Sequence, residues 1–275
     1  EIIEKDKKIL IIKEQGIGDE ILYGSIYPDL LKKYKNVKIE TDPRLISLFE
    51  RSMNTKNVFV PFDQYSNNAN ELKQFDTVLY AGSLGKLFRN NLSDFPKKNY
   101  LFADKNKFKK ISNQISEITN KKKIGISWKS KNETYGMDKS IDLNLFKSIL
   151  NLDQFSFINL QYGDTQEERK KFKKTTGLEI INIEEVDLFN DFESIAALLQ
   201  NLDLYIAVSN STAHLAAALG VPTWIIRPKI HAVFHYWNQP GSITPWYSSV
   251  KLFSYKDGWN ATMEEITKEL IKKFT

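Results

Sequence analysis

The 275-residue sequence predicts an α/β protein made of two doubly wound, Rossmann-like units in tandem, facing each other across a cleft. Three observations carry that prediction. Short apolar runs alternate with longer helix-period segments along nearly the whole chain. The scheme restarts after the basic run Lys121–Lys123. Two polar junctions, Glu14–Asp19 and Ser209–Thr212, stand where a strand gives way to a helix. In open parallel sheets, ligands bind at such carboxyl ends of strands.

The first half opens with Lys8–Lys13 as a strand, then a helix from about Asp19 to Tyr34 with Leu22, Ile26, Leu30 and Leu31 on its apolar face. Val37–Thr41 is the next strand, and Pro43 opens a helix through Leu45, Leu48 and Phe49. Val58–Val60 and Thr77–Tyr80 complete an expected four-stranded core. Asn90–Asp104 is irregular, and a helix over about Lys105–Thr119 leads to the unit boundary. In the second half, strands are expected at Lys123–Trp128, Phe155–Leu160, Glu179–Asn182, Leu204–Val208 and Thr223–Ile226. A last helix near Glu264–Phe274 carries Ile266, Leu270, Ile271 and Phe274 on one face. The expected division is 1–120, 121–258 and a terminal helix at 259–275.

The most specific stretch is Val208-Ser-Asn-Ser-Thr-Ala-His-Leu-Ala-Ala-Ala-Leu-Gly-Val-Pro222. Ser211 or Thr212 can cap the helix and Gly220 can end it. Free N–H groups and the helix dipole at that junction favour an anion, so the segment reads as a phosphate seat. The same pattern also describes an ordinary capped helix that binds nothing. At the other junction, Gly16 and Gly18 permit a tight turn and close approach of a ligand, although the spacing is not the dinucleotide fingerprint. Asp19 is then either a general base facing the cleft or simply an N-cap.

Composition narrows the chemistry. With no cysteine, the chain has neither disulfides nor a thiolate metal site nor a cysteine nucleophile, and three histidines (His214, His231, His235) leave little for a metal cluster. The formal charge of +5 is spread among acidic residues and by itself separates nothing. No stretch alternates basic with aromatic residues as a single-strand groove would, so no nucleic-acid partner is expected. No apolar run is long enough to span a membrane and no secretory signal is evident, so a cytoplasmic protein is expected, with peripheral contact at the inner membrane face left open. The lack of an initiator Met is expected to mark a trimmed chain with a further domain upstream.

Several motifs carry a resemblance: Gly16-Ile-Gly-Asp-Glu-Ile21, Gly82–Phe88, Ile124-Gly-Ile-Ser-Trp128, Lys139–Phe146, Leu160-Gln-Tyr-Gly163, Ser209–Pro222 and Pro245-Trp-Tyr247. Over nearly its whole length the chain resembles the inverting GT-B glycosyltransferases of the heptosyltransferase family (glycosyltransferase family 9), and above all the related domains that follow tetratricopeptide repeats in bacteria. The resemblance implies Asp19 as catalytic base and Lys139 as the cation at the donor diphosphate, where an ordinary solvated lysine is the alternative. Ser127, Trp128 and Lys129 would line the cleft, with Trp128 either a stacking wall or a core residue. Gln161, Tyr162 and Gly163 would hold base or ribose. Asn210, Ser211 and Thr212 would form the phosphate junction, and His214 would either touch phosphate or be a buried structural residue. Heptosyltransferases usually carry an acidic residue where this chain has Asn210, which weakens the case for ADP-heptose as donor.

The expected activity is therefore inverting, metal-independent transfer of a sugar from a nucleotide-diphosphate sugar to a hydroxyl of a glycan, lipid-linked saccharide or protein. No cofactor beyond the donor substrate is expected. The alternative from another class is a non-catalytic nucleotide-sugar-binding or protein-interaction module of a larger repeat protein.

Overall fold

The computed structural model describes residues 4, 6–131, 134–228, 233–256 and 258–275; His231 lies outside the described residues. The first unit runs β1 (Ile9–Ile12), α1 (Ile17–Gly24), α2 (Tyr27–Lys33), β2 (Val37–Thr41), α3 (Pro43–Met53), β3 (Phe59–Pro61), α4 (Ala69–Leu72), β4 (Thr77–Tyr80), α5 (Gly85–Phe88) and α6 (Lys105–Ile118). Its four parallel strands lie in the order β3-β2-β1-β4, in register at Ile9–Val37, Ile9–Thr77 and Ile39–Phe59. Chain order reverses between β1 and β4, so this is the sheet's topological switch point.

The second unit runs β5 (Lys122–Ser127), α7 (Gly136–Lys139), α8 (Lys147–Leu150), β6 (Phe155–Asn159), α9 (Gln166–Thr176), α10 (Phe192–Gln200), β7 (Leu204–Val208), α11 (Ser211–Ala218), β8 (Thr223–Ile226), β9 (Val250–Phe253) and α12 (Trp259–Phe274). All five strands are parallel, in the order β6-β5-β7-β8-β9. Here the switch point falls between β5 and β7, directly beside the Ser209–Thr212 junction.

Four expectations need correction. The helix foreseen over Asp19–Tyr34 is two helices, because Pro28 in the first turn of α2 has no N–H to offer the Gly24 carbonyl. Glu179–Asn182 does not form a strand; it contributes one isolated bridge, Ile158–Ile181. The edge strand β9 went unforeseen, since its segment follows an irregular, aromatic-rich stretch rather than a helical one. The last helix does not return to the first unit. Met263, Ile266 and Leu270 of α12 are buried in a cluster with Ile124, Phe146, Ile149, Trp224 and Phe253, and α12 packs on α8. Polar contacts agree: Thr267 bonds Ser148, and Lys251 pairs with Glu269. The near face of the second sheet offered that apolar surface, so the helix covered it locally.

The two units share one continuous core. Ile21 and Leu22 of α1, Ala213, Ala216 and Ala217 of α11, and Ile195 and Leu198 of α10 belong to a single buried cluster with both sheets. α1 packs directly on α11, and α10 packs on α3 and α6. Small side chains on α11 and Gly18 on α1 permit that approach. A Cβ added at Gly18 would stand 3.0 Å from His214 Cδ2 and 3.6 Å from Ser211 Cα. Gly18 therefore serves helix–helix packing.

Candidate functional site

Helices α1 and α11 start side by side, so both amino termini open into one cleft between the units. The cleft holds about 330 Å³ and is lined by Gly16–Asp19, Arg44, Ser130, Lys131, Lys139, Tyr162, Leu188, Phe189, Phe192, Ser209–Thr212, His214 and Tyr236. Nine of the residues singled out in the sequence meet there: Gly16, Gly18, Asp19, Lys139, Tyr162, Asn210, Ser211, Thr212 and His214.

The first junction turns through Gln15 in the left-handed region (φ 56°) and presents Gly16 as the residue before α1. Asp19 is the third residue of the helix rather than its N-cap. Its carboxylate reaches back to the Gly16 N–H at 3.4 Å. Its neighbour Glu20 is fully committed elsewhere, accepting from Lys13 Nζ (2.9 Å), Thr41 Oγ1 (2.8 Å) and the Asp42 N–H (2.8 Å). Of the two adjacent carboxylates, Glu20 ties strands to helix and Asp19 faces the cleft. Burial raises the Asp19 carboxyl above its ordinary value, opposed by the Gly16 N–H and by the charge of Lys139.

Lys139 ends the short helix α7 and is buried, with its ammonium 4.1 Å from the centre of the Phe234 ring. Burial lowers its pKa while Asp19 pulls it up. Among the described residues no carboxylate stands within ion-pair distance of this ammonium. A buried cation without such a partner is costly in an empty cleft and suited to one that receives an anion.

At the second junction Asn210, not Ser211 or Thr212, caps α11. Its Oδ1 accepts from the Ala213 N–H at 3.0 Å, while its Nδ2 donates to Ser127 Oγ (2.9 Å) and to the Lys129 carbonyl (3.4 Å). The amide thus accepts and donates at once; a carboxylate could cap the helix but could not donate to the Lys129 carbonyl. The first N–H groups of α11, those of Ser211 and Thr212, have no intrahelical acceptor and face the cleft.

The other sequence candidates sit behind the cleft wall. Ser127 is buried and shares its hydroxyl with Tyr205 and Asn210. Trp128 is 0% exposed within the core around Ile124 and Phe146, so it is a core residue. Gln161 Oε1 accepts from the Trp128 and Lys129 N–H groups (2.9 and 2.7 Å), which fixes the loop after β5. The Lys129 side chain pairs with Glu168 at 2.7 Å. Gly163 lies under the end of the Lys131 side chain in the left-handed region (φ 83°), a conformation that residues with a Cβ rarely adopt. Tyr162 reaches the cleft, its hydroxyl accepting from the Lys131 N–H at 2.8 Å.

Sequence reasoning missed Arg44, Lys131, Phe189 and Tyr236. Arg44 carried the clearest overlooked signal, since it stands just past a strand end, in the first turn of α3. It grips Asp42 through Nε and Nη2, both at 2.9 Å, and donates through Nη1 to the Phe189 carbonyl at 3.0 Å. That last bond joins the two units at the rim of the cleft.

Comparison with known proteins agrees with this architecture. A glycosyl transferase family 9 structure from Veillonella parvula superposes with a TM-score of 0.65 at 14% identity, covering 98% of this chain and 93% of that one. The Escherichia coli ADP-heptose LPS heptosyltransferase II gives 0.62 at 13% identity, covering 98% and 100%. The E. coli heptosyltransferase WaaC with ADP-2-deoxy-2-fluoro heptose gives 0.56 at 11% identity, over 98% and 100%. The chain has the heptosyltransferase fold. In sequence it is 28% identical over 282 residues to Protein FlbA of Caulobacter vibrioides, an alignment covering 97% of this chain. The chain spans about half of that relative's length (46%). No family model matches it.

The cleft occupies the space between the strand ends of the two sheets. One structural neighbour, the dodecameric TibC, is described as iron-containing. Among the described residues of this chain, no three His, Cys, Asp or Glu side chains gather as a metal-binding group. No helix among them is long and apolar enough to cross a membrane.

Proposed function

We propose that the chain is an inverting glycosyltransferase that moves a sugar from a nucleotide-diphosphate sugar to an acceptor hydroxyl, with no metal in the transfer step. The observation that carries this reading is the pairing, in one cleft, of a half-buried carboxylate at the start of α1 with a buried ammonium beside the start of α11. The 121–258 unit holds the donor, its diphosphate against the Ser211 and Thr212 N–H groups and Lys139. Tyr162 and Phe189 offer aromatic surface for the nucleoside. The 1–120 unit brings the acceptor to Asp19.

In the reaction Asp19 takes the proton of the acceptor hydroxyl as its oxygen attacks the anomeric carbon. The bond from that carbon to the phosphate oxygen breaks, and its electron pair leaves with the nucleoside diphosphate. Lys139 and the dipole of α11 stabilise the charge that develops there. Single displacement from the opposite face inverts the anomeric centre. The raised carboxyl pKa suits a base, and Lys139, by stabilising the carboxylate, keeps it ionised.

A thermal-shift screen against UDP-, GDP-, ADP- and CMP-sugars tests the reading. At least one donor should raise the melting temperature and lose its sugar, with inversion, to a suitable hydroxyl. Absence of any shift across the panel would sink it.

A further inference from the structure

Arg44 reaches the cleft from the first unit, yet the transfer step assigns it nothing. Asp42 holds one edge of its guanidinium, through Nε and Nη2, both at 2.9 Å. Asp42 is itself fixed. It is 8% exposed, it caps α3 by accepting from the Arg44 N–H (3.0 Å), and its own N–H is held by the Glu20 carboxylate (2.8 Å). A forked pair of this kind sets the plane of the guanidinium as well as its place. The other edge leaves the first unit. Nη1 donates to the Phe189 carbonyl at 3.0 Å, and the guanidinium carbon lies 5.7 Å from the centre of the Phe189 ring and 5.5 Å from that of Phe192.

Phe189 stands in a loop, residues 184–191, with no helix or strand, and it is half exposed. Within that loop Asp187 accepts from the Phe189 and Asn190 N–H groups (2.8 and 3.0 Å), which closes the turn on itself. Outside the loop the Phe189 ring meets the Arg44 guanidinium and, at 6.3 Å and a tilt of 44°, the Tyr162 ring. It lines both the cleft and a neighbouring recess of about 260 Å³ at the end of β6, so open space on two sides leaves its angle to few contacts.

We propose that Arg44 is a positioning residue for the donor nucleotide: it holds Phe189 beside Tyr162, so that the first unit completes the aromatic wall on which the nucleoside stacks. This rests on the reading above, which places the nucleoside at Tyr162 and Phe189. Aromatic rings ordered before the ligand arrives bind it more tightly, because the entropy of ordering them is not lost on binding. Docking of the two units does not need Arg44 alone. Arg51–Glu193 (2.6 Å) and Lys107–Asp191 (2.9 Å) also join α3 and α6 to the region around α10, and neither pair lines the cleft.

Calorimetric titration of the full chain with UDP, GDP, ADP and CMP tests this. For whichever binds best, Arg44→Met should weaken binding about tenfold. Unchanged affinity would overturn the proposal. Arg44→Lys keeps the charge but cannot grip Asp42 and reach Phe189 at once, so it should lose nearly as much. Full affinity in the Lys variant would mean that charge alone matters, and would overturn the positioning role. Arg51→Met, which cuts an inter-unit pair outside the cleft, should bind within about twofold of the unaltered chain. A loss there as large as that of Arg44→Met would make the effect one of docking, again overturning the proposal. Phe189→Leu supplies the last arm. If Arg44 acts through Phe189, adding Arg44→Met to that variant should weaken binding little further, whereas losses that multiply would overturn the proposal. All of these outcomes leave the transferase reading standing. Failure of all the nucleotides to bind the unaltered protein would overturn both together.

Discussion

Asp19 and Lys139 act as a pair whose cost and use can be separated by substitution. Asp19→Asn keeps an oxygen for the Gly16 N–H, so the fold and donor binding should survive while turnover falls by roughly 10²–10⁴. Steady-state rates and melting temperatures of both proteins check this. Because burial raises the Asp19 pKa, kcat/KM should drop as pH falls through that raised value, and the Asn variant should lose this limb of the profile. Lys139→Met should behave differently. It removes a buried ammonium that has no ion-pair partner among the described residues, so the melting temperature should hold or rise while turnover falls by about 10² or more. Asn210 is a third case. Asn210→Asp would set an oxygen against the Lys129 carbonyl, and urea unfolding should show a loss of about 1–3 kcal/mol.

At the scale of elements, the site depends on where helices begin and on what lies behind them. α1 and α11 converge because one offers Gly18 and the other a run of alanines, and because Asn210 holds the start of α11 to the end of β5. α12 supports the opposite face of the second sheet. Ile266→Ala should cost about 2–5 kcal/mol by opening a cavity beneath that helix. A fall in denaturation midpoint with an unchanged slope would confirm it; an effect below about 1 kcal/mol would mean that α12 is not packed as described.

For the whole molecule, the shared core predicts joint behaviour of the two units. A single buried cluster crosses from α1 to α11, and Arg44–Phe189, Arg51–Glu193 and Lys107–Asp191 contacts join α3 and α6 to the region around α10. Unfolding should therefore be one cooperative transition, with calorimetric and van't Hoff enthalpies agreeing. Its pH dependence should bear the mark of His214. The free side chain protonates near 6.5, while the folded one resists until about pH 3. The stability it confers is full above pH 6.5 and is lost as pH falls below that value, at up to about 1.4 kcal/mol per pH unit. Lys139 and His235 strengthen this, and the half-buried Asp19, with its raised pKa, opposes it in the carboxylate range. Unfolding of the His214→Gln variant at pH 7.5 and 5.5 should show a smaller difference than the unaltered chain.

The sequence by itself determined the α/β class, the two sheets and both polar strand-to-helix junctions at the cleft, because these rest on local periodicity and on residues a few positions apart. Gly16–Asp19 and Ser209–Thr212 could be read as strand-to-helix turns before any packing was known. It also singled out Lys139, Tyr162 and His214 at the cleft. Only the tertiary structure decided which candidates face that cleft. Gln161, Ser127 and Trp128 stand at or just past the ends of the right strands but spend their polar groups or their bulk on neighbours distant in sequence. Arg44 and Phe189, 145 residues apart, meet only when the units dock. Likewise α12 has an apolar face in any reading, but the choice of surface beneath it depended on which sheet lay uncovered nearby. Propensity fixes where an element forms and which face is apolar; what that face covers is fixed by burial across the whole fold.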